Sequence, residues 1–294
     1  MKNVFKLWVL IVLSGAIASC NHSSKPADGA GSKLVIHNNG VKIAYTDTGS
    51  HDTTLLFVHG WCINKSYWED QVKYFSPQYR IVAMDMAGYG ESGRNRNSWN
   101  TIDFAGDVDS LIRQLDLKKV ILIGHSMAGD IVLQSAIDNP GRVVGLVGID
   151  NFKSPGVPVD PATKKGYEAA LLELKKHFKQ MVTDWFNKAL FYKTTSQQVR
   201  QRVLNDVYKA DTIIAAASLA DTSFKELPKL KQAKKKLYIL GSDVTPVDTT
   251  RMSATKLPFK IYYVHATGHY PMIEKPGEFN AQLGKILVDI KKDK

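Results

Sequence analysis

The stretch Gly124-His125-Ser126-Met127-Ala128-Gly129 decides the fold of this 294-residue chain, because two kinds of sequence periodicity meet there. Residues 120–123 before it form a continuous apolar run, as in a strand buried on both faces of a parallel sheet. Residues 130–137 after it have a helical pattern. Small residues around Ser126 permit a sharp strand-to-helix turn that holds its hydroxyl beside unpaired helical N–H groups. The stretch therefore predicts a nucleophile elbow with Ser126 as nucleophile; a serine that merely caps the junction is the alternative.

Strands and helices alternate outward from this turn. Strand patterns are predicted at 41–45, 55–58, 81–84, 120–123 and 143–149, with helical stretches over 66–75 and 101–115 between them. Such alternation predicts a mostly parallel central sheet flanked by helices on both sides. Strand patterns resume only at 237–240 and 260–264, and a final helix is predicted over 278–290.

The segment between the two groups of strands is predicted to be helical. Residues 152–228 contain four helical stretches and no strand run, which indicates a helical cap inserted after the sixth core strand. A cap there would lie over the carboxyl edge of the sheet, where open α/β sheets bind ligands. We therefore expect a core formed by 33–151 and 229–294, with the cap at 152–228.

A second turn supplies candidate oxyanion donors. His59-Gly60-Trp61 follows the strand at 55–58, and Gly60 permits a turn that aims the next backbone N–H at the nucleophile. The N–H groups of Trp61 and Met127 are the predicted oxyanion hole. His59 is an unsuitable base, because it would lie beside the oxyanion rather than at the base's position.

The candidate base is His269, and two aspartates compete to be its acid. Gly268-His269-Tyr270-Pro271 lies past the last strand, on a loop from which an imidazole could reach Ser126. Asp243 follows the strand at 237–240, whereas Asp150 ends the strand at 143–149. Both preserve the chain order serine, acid, histidine. Loop position favours Asp243, with Asp150 as the alternative; Asp248 is predicted to cap the helix that follows it.

Together these motifs resemble the α/β-hydrolase superfamily over residues 40–290. The resemblance rests on His59-Gly60, the Ser126 elbow, Asp243, His269 and the stretch 85–92, which is similar to the family's D-x-x-G-x-G-x-S loop. One departure concerns the acid: the family often has G-x-x before it, whereas Gly241-Ser242 leaves one residue fewer. This keeps Asp150 open.

The resemblance implies an α/β-hydrolase fold and a serine hydrolase acting on a small carboxylic ester through an acyl-enzyme. A serine in the elbow argues against epoxide opening and dehalogenation, for which relatives use aspartate there. Two alternatives stay open. The same residues could cleave an amide, lactone or carbon–carbon bond, or the chain could be a low-turnover binding or signalling protein, since fold does not determine function.

The N-terminal residues predict export and a lipid anchor. Lys2 and Lys6 accompany an apolar stretch over 7–17, which is too short for a membrane span of about 18 residues. Ile17-Ala18-Ser19-Cys20 resembles the lipobox of bacterial lipoproteins, which predicts a signal peptide at 1–19 and acylation of Cys20. Ordinary cleavage near Ser19 is the alternative. Residues 20–32 are small and polar, as in a tether, so we expect a lipid-anchored protein of the bacterial cell envelope.

Composition limits the partners and cofactors. The net charge of +11 (39 − 28) is spread along the whole chain rather than gathered on one element, which argues against nucleic-acid binding. We find no Cys/His metal spacing and no P-loop, so neither a metal nor another cofactor is expected. The two cysteines are Cys20 and Cys62; if Cys20 carries lipid, Cys62 has no disulfide partner.

Overall fold

A computed structural model describes residues 34–157, 160–221 and 223–293. The predicted signal peptide, Cys20 and the tether lie outside these residues. The described strands form one sheet: β1 (Leu34–Asn38), β2 (Val41–Thr48), β3 (Thr53–Val58), β4 (Arg80–Met84), β5 (Lys119–His125), β6 (Val143–Ile149), β7 (Leu237–Ser242) and β8 (Phe259–Val264).

The helices of the described residues pack around this sheet. They are α1 (Glu69–Phe75), α2 (Thr101–Gln114), α3 (Ala128–Asp138), α4 (Pro161–Lys176), α5 (Phe178–Ala189), α6 (Gln197–Val207), α7 (Thr212–Leu219), α8 (Glu226–Ala233), α9 (Thr249–Ala254), α10 (Pro271–Glu274) and α11 (Pro276–Lys292). None of the helices in the described ranges is both long and apolar enough to cross a bilayer.

The sheet has the strand order β1-β2-β4-β3-β5-β6-β7-β8. The strand β2 runs antiparallel to both its neighbours, and the pairs from β4 to β8 are parallel. The apolar runs of β3, β5 and β7 are buried because helices cover both faces of the sheet. The expected α/β-hydrolase architecture is therefore confirmed, and the parallel strands bring the ends of β3, β5, β6 and β7 to one edge.

Two local features differ from the sequence prediction. The strand β1 is a short edge strand with exposed residues, and its apolar pattern was too weak to identify. The last of the four predicted helical stretches in the insertion covers 212–224, whereas α7 ends at Leu219. The carboxylate of Asp221 accepts hydrogen bonds from the backbone N–H and the hydroxyl of Ser223, a local turn that competes with helix continuation.

Asp248 caps α9, as predicted, by accepting from the N–H of Arg251.

The chain between β6 and β7 forms α4 to α8, the helical insertion expected after the sixth strand. The insertion contacts the carboxyl edge of the sheet through α7: the indole Nε1 of Trp61 donates to the carbonyl of Ala215 at 2.8 Å. The hydroxyl of Tyr89 also lies 2.8 Å from that of Ser218 on the same helix. The boundaries 33–151, 152–228 and 229–294 remain a prediction. The helix α8 spans the predicted boundary at 228–229 and packs against α3, a helix of the predicted core.

The loop after β4 is held by one buried carboxylate. Asp85 accepts hydrogen bonds from the backbone N–H and the ammonium of Lys65, both at 2.7 Å, and from the N–H of Glu91. Ser92 donates to the carbonyl of Asp85 and accepts from the N–H of Ala44. The loop that carries the D-x-x-G-x-G-x-S pattern is thus fixed by the hydrogen bonds that Asp85 and Ser92 make with neighbouring residues.

Candidate active site

Ser126 lies in a sharp turn between β5 and α3. Its φ of 53° is left-handed, a conformation that costs energy for a residue with a side chain. The turn needs a close approach at Gly124, where a Cβ would come within 2.4 Å of the carbonyl oxygen of Ala128. The N–H of Ser126 donates to the carbonyl of Ile149 at 2.9 Å, which joins the turn to the end of β6. Ser126 is half-buried, so the turn presents its side chain at the carboxyl edge.

Asn151 braces this turn, a contact that sequence analysis missed. Its side-chain amide donates to the carbonyls of Gly124 at 3.0 Å and Ser126 at 3.2 Å. The carbonyl of Ser126 also accepts from the backbone N–H of Gly129 at 2.9 Å, so the Asn151 amide adds a second hydrogen bond at this turn. No local pattern around Asn151 marks this role, because it depends on the neighbouring position of β5 and β6 in the sheet.

The two candidate oxyanion donors flank the same edge. Trp61 follows β3 and Met127 follows Ser126, and neither backbone N–H donates a hydrogen bond to another of the described residues. Gly60 is required by close packing, since a Cβ there would lie 2.5 Å from Nδ1 of His125. Both N–H groups are therefore available to an added acceptor.

His269 lies at the same edge on the loop before α10, and it is paired with Asp150. Its Nδ1 is hydrogen-bonded to Oδ2 of Asp150, and its backbone N–H donates to the carbonyl of Leu190 at 2.8 Å. Its imidazole Nε2 has no hydrogen-bond partner within the described ranges. Since Nδ1 faces the carboxylate, Nε2 is the nitrogen left to exchange a proton with a reactant.

Asp150 is ionised and densely hydrogen-bonded. Its Oδ1 accepts from the backbone N–H of Ser242 at 3.0 Å, the hydroxyl of Ser242 at 2.8 Å and the ammonium of Lys153 at 2.9 Å. Burial by itself raises the pKa of this carboxyl, but the hydrogen bond to His269 and the ammonium of Lys153 outweigh burial and hold the pKa well below its usual range. The carboxylate therefore keeps its charge when the imidazole gains a proton.

Asp243, the acid that sequence analysis favoured, does not pair with His269. Its Oδ1 lies 2.9 Å from Nδ1 of His265, and its Oδ2 accepts from the N–H of Ala266 at 2.7 Å. The register explains this correction. Ser242 pairs with Val264, so Asp243 leaves β7 directly beside His265, two strands away from the elbow. The alternative, Asp150, leaves β6, which is the immediate neighbour of β5.

Two further histidines near the elbow have structural contacts. His59 donates from Nδ1 to the carbonyl of Gly60 at 2.8 Å and accepts at Nε2 from the N–H of Met86 at 3.0 Å, so neither nitrogen is free. His125 donates from Nε2 to the carbonyl of His269 at 2.7 Å, because a carbonyl can only accept. Burial lowers the pKa of His125 to about 3, so this ring is neutral and ties the base's loop to the elbow.

Cys62 is a buried free cysteine, and burial raises the pKa of its thiol well above the usual value, so it is a poor nucleophile. In the part of the chain that the structure describes, no group of three or more His, Cys, Asp or Glu side chains could hold a metal ion.

Comparisons with known proteins agree with this architecture. Residues 53–210 match the family model described as alpha/beta hydrolase fold. The pimeloyl-(acyl-carrier protein) methyl ester esterase of Aliivibrio salmonicida is 26% identical over 257 residues, which cover 83% of this chain and 95% of that protein. The dihydrolipoyllysine-residue acetyltransferase component of the acetoin cleaving system of Cupriavidus necator is 25% identical over 255 residues, which cover 84% of this chain and 67% of that protein.

A solved structure shows the same fold. The thermophilic esterase from Thermogutta terrifontis superposes with a TM-score of 0.76 at 20% identity, covering 88% of this chain and 99% of that one. Since the family model matches more than half of the sequence, and the sheet order and strand-to-helix turn agree with it, this chain belongs to the alpha/beta hydrolase fold family.

Proposed function

We propose that the protein hydrolyses a carboxylic ester through an acyl-enzyme, with Ser126 as nucleophile, His269 as base and Asp150 as the acid that orients it. The observation that carries this proposal is the pairing of Nδ1 of His269 with the ionised Asp150, which leaves Nε2 for proton transfer. The ester bond is favoured because the relatives include a methyl ester esterase and the similar structures include an esterase.

Acylation uses the three side chains in sequence. Oγ of Ser126 attacks the ester carbonyl while its proton moves to Nε2 of His269, and the carbonyl oxygen becomes an oxyanion held by the N–H groups of Trp61 and Met127. Collapse of the tetrahedral adduct breaks the bond to the alkoxy group, which receives the proton from Nε2. The alcohol leaves, and the acyl group remains on Ser126.

Deacylation repeats the same steps with water. His269 removes a proton from water as the oxygen attacks the acyl carbonyl, and the same proton returns to Oγ of Ser126 when the carboxylic acid is released. Asp150 stabilises the imidazolium formed in both halves. Because the hydrogen bonds from Ser242 hold the carboxylate in place, little reorganisation is required at each proton transfer.

Covalent labelling tests this proposal directly. The full chain is treated with a fluorophosphonate probe, and the adduct is located by peptide mass spectrometry. We expect one adduct on Ser126 that is absent from Ser126→Ala and slowed by at least about a hundredfold in His269→Ala. His265→Ala is the matched control, since this exposed histidine bonds to the other aspartate, and it should label at the wild-type rate.

The contrary outcomes are distinct. If the folded protein does not label, the serine is not activated, and the low-turnover binding protein becomes the better interpretation. If Ser126 labels but short-chain esters are not cleaved, the reactive serine stands and the bond type changes to an amide, lactone or carbon–carbon bond.

We also propose that Cys20 is acylated and anchors the protein in the bacterial cell envelope. The support is the stretch Ile17-Ala18-Ser19-Cys20 at the end of an apolar segment. Growth of a bacterial expression host with an alkyne fatty acid should label the wild-type chain and not Cys20→Ala. Cys62→Ala is the matched control and should retain the label, because Cys62 is buried.

A further inference from the structure

The loop that carries His269 is held by one carboxylate. Glu274, the last residue of α10, accepts hydrogen bonds from the backbone N–H of Gly268 at 2.9 Å and from that of Tyr270 at 3.2 Å. These two residues stand directly before and after His269 in the chain. Each oxygen of Glu274 takes one of the two bonds, so the carboxylate fixes the backbone on both sides of the candidate base.

The helical insertion contacts the same loop through the segment 190–196, which joins α5 to α6. The carbonyl of Leu190 accepts the backbone N–H of His269 at 2.8 Å. The approach is close, because a Cβ at Gly268 would lie 2.5 Å from that same carbonyl oxygen. The backbone of the insertion therefore packs directly against the backbone of the base's loop.

Thr195 joins the insertion to the carboxylate. Its buried hydroxyl donates to Oε2 of Glu274 at 2.6 Å and accepts from the backbone N–H of Tyr192 at 2.9 Å. The guanidinium of Arg200 donates to the backbone carbonyls of Tyr192 at 2.8 Å and of Thr195 at 3.1 Å, which holds this turn of the segment in place. A displacement of the segment 190–196 would therefore break the bond between Thr195 and Glu274.

We propose that Glu274 is a positioning residue for His269, and that Thr195 makes its action depend on the docked helical insertion. The inference rests on the proposed hydrolysis, in which Nε2 of His269 moves a proton in each half of the reaction. Glu274 acts through the backbone on either side of His269, so it sets the distance from Nε2 to Ser126 and exchanges no proton itself. A displacement of about 1 Å in a reacting group can cost about a hundredfold in rate.

Kinetics of a conservative variant test the positioning role. Glu274→Gln keeps the shape of the side chain but turns amide hydrogens toward a backbone N–H, so kcat for 4-nitrophenyl acetate should fall at least about tenfold. KM should stay within about threefold, because His269 acts in the chemical steps. Glu278→Gln is the matched control, since Glu278 bonds to Lys275 on the surface, and it should keep kcat within about twofold. An unchanged kcat in Glu274→Gln, or a loss that appears in KM alone, would overturn the proposal.

A double-mutant cycle tests the dependence on the insertion. Thr195→Val removes the hydroxyl at nearly constant shape and should lower kcat about fivefold. In the Glu274→Gln background the same substitution should change kcat less than about twofold, because its hydrogen-bond partner is already altered. Thr183→Val, whose hydroxyl bonds to Lys179 and Tyr208 of the insertion itself, is the control and should change kcat less than about twofold in both backgrounds. Equal losses from Thr195→Val in both backgrounds would overturn the link through Glu274.

A spectroscopic measurement separates this inference from the proposed function. The strongly deshielded proton NMR signal of the hydrogen between Nδ1 of His269 and Asp150, identified by its absence from His269→Ala, is recorded in the resting protein. The signal should shift or broaden in Glu274→Gln and be retained in Glu278→Gln. An unchanged signal in Glu274→Gln would overturn the positioning role and leave the hydrolase proposal intact. A signal lost selectively in Glu274→Gln, in a protein whose Ser126 never labels, would retain the positioning of the loop and reject the hydrolase mechanism.

Discussion

Two aspartates stand at the ends of neighbouring strands, and only one of them faces the candidate base. Asp150, at the end of β6, is fully buried and bonds to His269, Ser242 and Lys153. Asp243, at the end of β7, is partly exposed and bonds to His265, a histidine that is itself 75% exposed. Both sites are an aspartate–histidine pair at the same edge of the sheet. The difference is the distance from the elbow, because β6 adjoins β5 and β7 does not.

The largest expected difference concerns turnover. Asp150→Asn should lower kcat for a 4-nitrophenyl ester by about a thousandfold or more, since an amide cannot stabilise the imidazolium and presents a donor to Nδ1. Asp243→Asn should change kcat less than about threefold. Initial rates of the two purified variants decide between the sites. A large loss with Asp243→Asn and a small loss with Asp150→Asn would reverse the assignment.

The next largest expected difference between the two aspartates concerns the free energy of unfolding. The pKa of Asp150 is depressed in the folded protein, so the ionised carboxylate stabilises the fold above the unfolded pKa of about 3.9, and this contribution is lost as the pH falls through the folded pKa. At pH 6, Asp150→Asn should lower the free energy of unfolding by about 2 kcal/mol or more, because Lys153 keeps a buried charge without its partner.

Asp243→Asn is the comparison for this stability measurement. Burial alone raises the pKa of Asp243, but the hydrogen bonds from Ala266 and His265 outweigh burial and lower the pKa. Partial exposure screens the charge, so the substitution should cost less than about 1 kcal/mol at pH 6. Urea unfolding at pH 6 and at pH 3 measures both variants. A deficit of Asp150→Asn that grows at pH 3 would contradict the sign of the shift.

The ammonium of Lys153 should affect the pH profile of kcat/KM. Lys153 lies 2.9 Å from Oδ1 of Asp150 and opposes a second positive charge on His269. Lys153→Met removes that opposition, so the rising limb of kcat/KM against pH should move upward by about half a pH unit or more. Lys275→Met, near Asp243, is the matched control and should leave the profile unchanged. A downward movement with Lys153→Met would contradict the proposed charge balance.

The smallest effect is expected at Ser242. Ser242→Ala removes the hydroxyl that donates to Asp150 at 2.8 Å, but the backbone N–H still donates at 3.0 Å. We therefore expect a loss of about two- to tenfold in kcat, with the pH profile retained. A loss as large as that of Asp150→Asn would mean that the hydroxyl, rather than the carboxylate alone, supports the imidazolium.

Local sequence determined much of this protein, because its signals come from residues adjacent in the chain. The buried runs of β3 to β7, the turn at Ser126 and the loop position of His269 can all be recognised in short stretches of sequence, since strand burial and turn sterics depend on immediate neighbours. The edge strand β1 was not predicted, because it is short and mostly exposed and so has no long buried run.

Only the tertiary structure decided which groups meet. Chain order allowed both Asp150 and Asp243, and the spacing after Gly241 did not separate them. The lateral order of the strands did, by placing the end of β6 between the elbow and β7. Asn151 and Ser242 join the site for the same physical reason: hydrogen bonds across neighbouring strands depend on sheet order and register, which no short stretch of sequence contains.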